Sequence, residues 1–156
     1  MIENETRIIK IEGNEYATTF ANIYNCANEL YPVNERHPAD GAVFHKQLQE
    51  DENYIYVIEQ ETVGFMSYHK YEQYFELTSL YVTFSKQKQG IGEALLNYFE
   101  HQVPRERLMV VKALNDSPWA IHFYTKHGYM KMTEVQLQSF HLVQHNWETI
   151  LCKKKE

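Results

Sequence analysis

The feature that most constrains this chain is a change of hydrophobic period. Phe75 to Phe84 alternates and is rich in β-branched and aromatic residues, the mark of a strand. Seven residues later Ile91, Ala94, Leu95, Tyr98 and Phe99 fall at i, i+3, i+4, i+7 and i+8, the stripe of a helix packed on a sheet. Pro104 ends that helix, and Arg107 to Leu114 follows as an almost continuously apolar run. Strand, helix and buried strand in that order predict a parallel β-α-β unit.

The flanking segments extend this unit. Arg7 to Glu12 reads as a short strand, and Phe20, Ile23, Tyr24, Ala27, Leu30 and Tyr31 predict a helix that Pro32 stops. Pro32 to Gly41 is a loop. Val43 to Leu48 predicts a second helix with Asp40 at its N-cap. Tyr54–Glu59, Val63–Tyr71 and Phe75–Phe84 form an antiparallel meander. Pro118 to Lys126 is a helix with Pro in its first turn and Gly128 at its C-terminal cap. Met130–Phe140 and Trp147–Lys153 read as two closing strands. The order β-α-α-β-β-β-α-β-α-β-β predicts one α/β sandwich of 156 residues, without linkers or repeats.

Composition narrows the functions. A net charge of −6, with no basic cluster beyond Lys153–Lys155, lacks the footprint of a nucleic-acid binder. Cys26 and Cys152 stand far apart without Cys-x-x-Cys or Cys/His spacing, so neither a disulfide framework nor a metal site is expected. No apolar stretch has the length of a membrane span and Met1–Lys10 lacks an apolar core, which points to a cytoplasmic protein.

Chemistry concentrates at Gln87-Lys88-Gln89-Gly90-Ile91-Gly92, where two glycines join a strand to a helix. Without Cβ atoms the backbone can approach a diphosphate, and the first N–H groups of the helix are available to an anion. The run is too short for a dinucleotide fingerprint, because Leu95 takes the third glycine position, and it lacks the Gly-Lys-Ser/Thr of a P-loop. An ordinary glycine turn is the alternative reading.

These residues resemble the GNAT superfamily of acetyl-CoA-dependent N-acetyltransferases, whose signature Q/R-x-x-G-x-G/A follows a strand of the type Leu80-Tyr81-Val82. Gln87, Gly90 and Gly92 match its three fixed positions. A second signature, an Asn after the next strand and then a helix with Ala, Phe-Tyr and Gly-aromatic, is matched by Asn115, Ala120, Phe123, Tyr124, Gly128 and Tyr129. The resemblance implies an acyl-CoA N-acyltransferase-like sandwich with a mixed, mostly antiparallel sheet, a splayed parallel strand pair and flanking helices. It also implies that acetyl-CoA is the cosubstrate. Backbone N–H groups of Gln87, Lys88, Gln89, Gly90, Ile91 and Gly92 would bind the pyrophosphate, Leu80–Val82 and Asn115 the pantetheine arm, and Tyr124 would protonate the leaving thiolate.

Glu76 is the expected base for the attacking amine, because strand alternation puts it on one face with Leu80 and Val82. His69 and His141 are alternatives by chemistry. Lys126 is a candidate for a CoA phosphate or a solvated helix-end residue. The acceptor region in the family corresponds here to Tyr24, Tyr31, Glu35, Arg36, His37, Tyr68, Phe140 and His141, an aromatic and mixed-charge set that suits a small-molecule or peptide amine without naming one. A catalytically silent CoA-binding sensor and a phosphate-binding protein are the competing classes. Trp147–Lys153, read as an edge strand, offers a surface for a homodimer.

Overall fold

The computed structural model describes residues 6–28 and 38–155. Seven strands, β1 (Thr6–Ile11), β2 (Glu52–Ile58), β3 (Glu61–Lys70), β4 (Tyr74–Val82), β5 (Leu108–Leu114), β6 (Met130–Lys131) and β7 (Glu148–Lys154), are hydrogen-bonded in the order β1-β2-β3-β4-β5-β7-β6. The β4–β5 pair is parallel, whereas β1–β2, β2–β3, β5–β7 and β6–β7 are antiparallel. This is the mixed, mostly antiparallel sheet expected. Among the described residues, five α-helices accompany it: α1 (Ala17–Ala27), α2 (His45–Glu50), α3 (Ile91–Gln102), α4 (Pro118–Lys126) and α5 (Glu134–Ser139).

The chain falls into two compact units, Met1–His69 with Ser79–Phe99, and Lys70–Thr78 with Glu100–Glu156. In the first, α1 presents Phe20, Ala21 and Ile23 to Phe44, Leu48, Ile55 and Phe65. Phe20 stacks on Phe65 at 4.0 Å, and burying one such ring stabilises the unit by about 2–3 kcal/mol. Alternation sends the neighbours of Ile55 and Phe65 to the opposite face, where Tyr54 meets Tyr98 at 5.0 Å and Tyr68 meets Phe99 at 5.4 Å, so α3 covers that side. The β2–β3 turn is the two-residue Glu59-Gln60 pair, both at positive φ (48° and 69°), as the twist of a tight hairpin demands.

A polar chain also crosses the first unit. Ser79 Oγ donates to Gln47 Oε1 at 2.9 Å, Gln47 Nε2 to Ser67 Oγ at 2.9 Å, and Ser67 Oγ to Asn53 Oδ1 at 2.5 Å. Asn53 Nδ2 in turn donates to the Asp51 carbonyl at 2.9 Å. With Asn53 and Ser67 almost completely buried, each polar atom needs these partners.

In the second unit, Tyr74, Leu108, Val110, Met132, Ile150 and Cys152 form the core, with Leu137, Phe140 and Leu142 packed on it. Here two expectations fail. Met130 to Phe140 is not a strand: only Met130–Lys131 pairs with β7, and the rest turns into α5. The cause is a capping box in which Thr133 Oγ1 accepts from the Gln136 N–H at 3.1 Å and Gln136 Oε1 accepts from the Thr133 N–H at 2.9 Å, satisfying two N–H groups that would otherwise be orphaned. Nor is β7 an edge strand, since β5 lies on one side and β6 on the other.

Smaller differences are local. The first helix is described to Ala27, and Leu30, Tyr31 and Pro32 lie outside the described residues. The segment opening the second helix is a 3-10 turn, Gly41–Phe44, whose start Asp40 caps by accepting from the Ala42 N–H at 3.0 Å, as expected. Phe84 belongs to a 3-10 turn after β4 rather than to the strand.

Candidate functional site

In the first unit the Gln87–Gly92 turn is held open by its own side chains. Gln87 Nε2 donates to the Val82 carbonyl at 3.0 Å and to the Ala27 carbonyl at 3.3 Å. This ties the turn to the end of β4 and the last turn of α1. Gln89 Nε2 donates to the Ser85 carbonyl at 3.3 Å. Lys88 (φ 63°) and Gly90 (φ 85°) are left-handed, a conformation that costs a side-chain-bearing residue about 1–2 kcal/mol. A Cβ built on Gly90 meets nothing within 4 Å, so the backbone there borders open space.

Ile91, 3% exposed, anchors the first turn of α3 in the core, while Gly92 is half-buried and Lys88, Gln89 and Gly90 are exposed. The first N–H groups of a helix lack intrahelical acceptors and carry the positive end of its dipole. An outward backbone, a helix start and a side chain used only as a tie come together at this turn. Leu80, Tyr81 and Val82 close β4 beside it. The Tyr81 ring is spent on packing, 5.0 Å from Tyr24 and 5.5 Å from Phe65.

The second unit carries Glu76 on β4, Asn115 in the turn after β5 and Tyr124 on α4. Glu76, on β4, has Lys112 Nζ at 3.4 Å from Oε1, with side-chain exposures of 12% and 37%. This partner was not foreseen, because it depends on the register that pairs Glu76 with Val110 in β5, and periodicity does not encode the register of a parallel pair. Asn115 is exposed and committed to the entrance of β7: its Nδ2 donates to the Asn146 carbonyl at 3.0 Å and its Oδ1 accepts from Thr149 Oγ1 at 2.6 Å. A primary amide retains a further N–H and lone pair after two such bonds.

Tyr124 is buried on α4. Its helix ends in paired bonds, Gly128 N–H to the Thr125 carbonyl at 3.1 Å and Tyr129 N–H to the Tyr124 carbonyl at 3.0 Å, with Gly128 at φ 94°. That reversal requires the left-handed residue which glycine supplies, and it folds Tyr129 back beside Tyr124, with ring centroids 5.7 Å apart. Tyr129 Oη donates to Glu100 Oε2 at 2.9 Å, and Lys153 Nζ binds the same carboxylate at 3.1 Å. Burial first, then the Glu100 charge, pushes the Tyr129 phenol well above its ordinary range. Lys126 is exposed at the helix end.

The other candidates are dispersed. In the first unit His69 Nδ1 lies 2.7 Å from Asp51 Oδ1, the imidazole 30% and the carboxylate 8% exposed; this pairing was also unforeseen. Tyr24 and Tyr68 belong to the same unit, and burial raises the pKa of both phenols. Phe140 and His141 (φ 56°) follow α5 in the second unit. Tyr31, Glu35, Arg36 and His37 lie outside the described residues. Among the described residues, no helix is long and apolar enough to cross a membrane.

The fold recurs in known proteins. The chain matches solved structures over nearly its full length: the ribosomal-protein-S18-alanine N-acetyltransferase of Escherichia coli, with a TM-score of 0.75 at 15% identity over 97% of this chain and 95% of that one, and the PaiA N-acetyltransferase of Thermoplasma acidophilum in complex with coenzyme A, with a TM-score of 0.73 at 15% identity over 96% and 99%. At that identity the likeness establishes the fold. A curated relative, UPF0157 protein YqkA of Bacillus subtilis (strain 168), is 34% identical over 87 residues, which are 51% of this chain and 25% of that protein. The match therefore spans about a quarter of the relative's length. The acetyltransferase (GNAT) domain family matches residues 51–131, a stretch that begins at Asp51, runs through Glu76, the glycine turn and Tyr124, and takes in just over half of the sequence. The chain therefore belongs to the GNAT acetyltransferase domain family.

Proposed function

We propose that the protein transfers the acetyl group of acetyl-CoA to a primary amine by direct attack in a ternary complex, as one cytoplasmic catalytic domain. The observation that carries this reading is the turn at Gln87–Gly92: its glutamine ties it to Val82 and Ala27, its glycine opens the backbone, and α3 begins behind it. Backbone N–H groups from Gln87 to Gly92 take the pyrophosphate. Leu80, Tyr81 and Val82 offer backbone groups to the pantetheine arm, and Asn115 offers its remaining N–H.

Acetyl-CoA, when bound, supplies an acyl group on a thioester. Glu76 accepts the proton of the amine, directly or through water, so that the nitrogen lone pair is free to attack; Lys112 holds that carboxylate in place. Tyr124 keeps its phenolic proton for the departing sulfur, which leaves more readily as a thiol than as a thiolate.

The test is CoA release from acetyl-CoA with a panel of amines, comparing wild type with Tyr124→Phe. Loss of ~10²-fold in kcat is expected, the lower end of what proton transfer contributes. Unchanged turnover in the variant removes Tyr124 from the mechanism. Stabilisation by acetyl-CoA in a thermal-shift titration, with no turnover of any amine, replaces the enzyme by a CoA-binding sensor.

A further inference from the structure

The second unit has a groove of about 640 Å³ where β5 starts and β7 ends. Leu108 and Phe140 line it, together with Arg105, Arg107, Lys154 and Lys155 and the carboxylates of Glu72 and Glu106. Four cations against two carboxylates is a local reversal in a chain of net charge −6. Lys155 is anchored, donating to the His101 and Val103 carbonyls at 3.3 and 2.8 Å. Among the described residues, no ion pair neutralises Arg105, Arg107 or Lys154.

Strand register connects this groove to Glu76. Leu108 is opposite Lys154 on β7 and opposite Tyr74 on β4. Glu76 lies two residues beyond Tyr74 along β4 on the same face, roughly 7 Å from it at the rise of a strand. Between them Tyr74 meets Phe140 edge-on at 6.1 Å, giving an apolar step between a carboxylate and a set of cations. Glu72 and Glu106 make the groove unfavourable to a polyanion while leaving room for one anionic group.

We propose that the acceptor is an amine bearing a carboxylate or phosphate about one dipeptide length from its nitrogen, the anion seated against Arg107 and Lys154 while the amine is presented to Glu76. This rests on the acetyl-transfer reading above. Arginine suits the task because its guanidinium matches the two oxygens of either anion.

Two pairs of acceptors test it: glycylglycine against glycylglycinamide, and 3-aminopropyl phosphate against 3-aminopropanol. The anionic member of at least one pair should be preferred by about tenfold in kcat/KM, equivalent to about 1.4 kcal/mol, mainly through KM; which pair responds distinguishes carboxylate from phosphate. The Arg107→Ala, Lys154→Ala double variant should bring that member down to the level of its uncharged partner. Equal kcat/KM within both pairs in the wild type, or a preference that survives in the double variant, overturns the proposal. NMR titrations with inorganic phosphate and with acetate give a readout independent of turnover: amide shifts at Arg107, Leu108 and Lys154 are expected with at least one of the two, and their absence with both at millimolar concentration also overturns it. Phosphate binding at the groove with no turnover of any amine counts against acetyl transfer and keeps the anion seat.

Discussion

The backbone N–H of Tyr129 donates to the carbonyl of Tyr124 at 3.0 Å while their rings meet at 5.7 Å, so Tyr129 fixes Tyr124 through both main chain and side chain. Tyr129 is itself fixed by the bond from its hydroxyl to Glu100, which Lys153 shares. Tyr129→Phe leaves the ring in place and removes that bond. A stability loss of about 1.5–3 kcal/mol is expected in urea unfolding, the net worth of a hydrogen bond to a charged group. If Tyr129 also positions the phenol of Tyr124, kcat should fall in Tyr129→Phe with KM for acetyl-CoA unchanged, whereas Glu100→Gln, in a chain that keeps the Tyr129 hydroxyl and can still accept from it, should retain most of the wild-type kcat. Equal kcat in wild type and Tyr129→Phe would confine Tyr129 to a structural role.

Alkaline stability should report on Tyr74. Burial, then Tyr71, then Glu76 push its phenol from an ordinary 10.0 up to about 12. The folded chain therefore keeps a proton that the unfolded chain releases, and the unfolded state binds fewer protons between those values. Stability falls with pH wherever that holds, so the contribution of Tyr74 is full below pH 10 and lost as pH rises toward 12. Urea midpoints across that window should decline less steeply for Tyr74→Phe than for wild type. Parallel slopes would show that Tyr74 ionises as freely in the fold as in the unfolded chain.

The β-α-β centre was legible because its residues repeat local rules: alternation in β4, a 3.6-residue stripe in α3, an apolar β5, and proline at the start of α4. The glycine turn was legible too, since a left-handed Gly90 before a buried Ile91 is a local matter. The α5 segment was misread through the spacing of its apolar residues, although Thr133-Glu134-Val135-Gln136 carries a capping box in plain view. What could not be read were contacts set by register and by the return of distant chain: Lys112 against Glu76, Lys153 against Glu100, and Asn115 committed to Asn146 and Thr149. Such pairs depend on which strands adjoin and in what phase, which no single segment contains.

Gly90 offers a direct test of the diphosphate seat. At φ 85° an alanine is strained by about 1–2 kcal/mol, and its methyl group would project where nothing of the protein lies within 4 Å. Gly90→Ala should lower the melting temperature by a few degrees and raise the KM for acetyl-CoA at least ~10-fold, with the KM for the amine much less affected. Gln87→Ala, which releases the turn from Val82 and Ala27, should weaken acetyl-CoA in the same direction. Unaltered acetyl-CoA affinity in both variants would mean that the diphosphate sits elsewhere.

The proposed base, the Glu76 carboxylate beside Lys112, has a rival among the described residues in the His69 imidazole held through Nδ1 by the mostly buried Asp51. They separate kinetically. If Glu76 is the base, the limb of kcat/KM that rises with pH disappears in Glu76→Gln and persists in His69→Gln. His69→Gln then lowers stability, since Asp51 loses a partner 2.7 Å away, while the shape of the pH profile is kept. Asp51→Asn would repeat that stability loss without touching the profile. The opposite pattern, with the rising limb lost in His69→Gln and in Asp51→Asn but kept in Glu76→Gln, transfers the base role to the histidine and leaves Glu76 as a carboxylate that orients the amine.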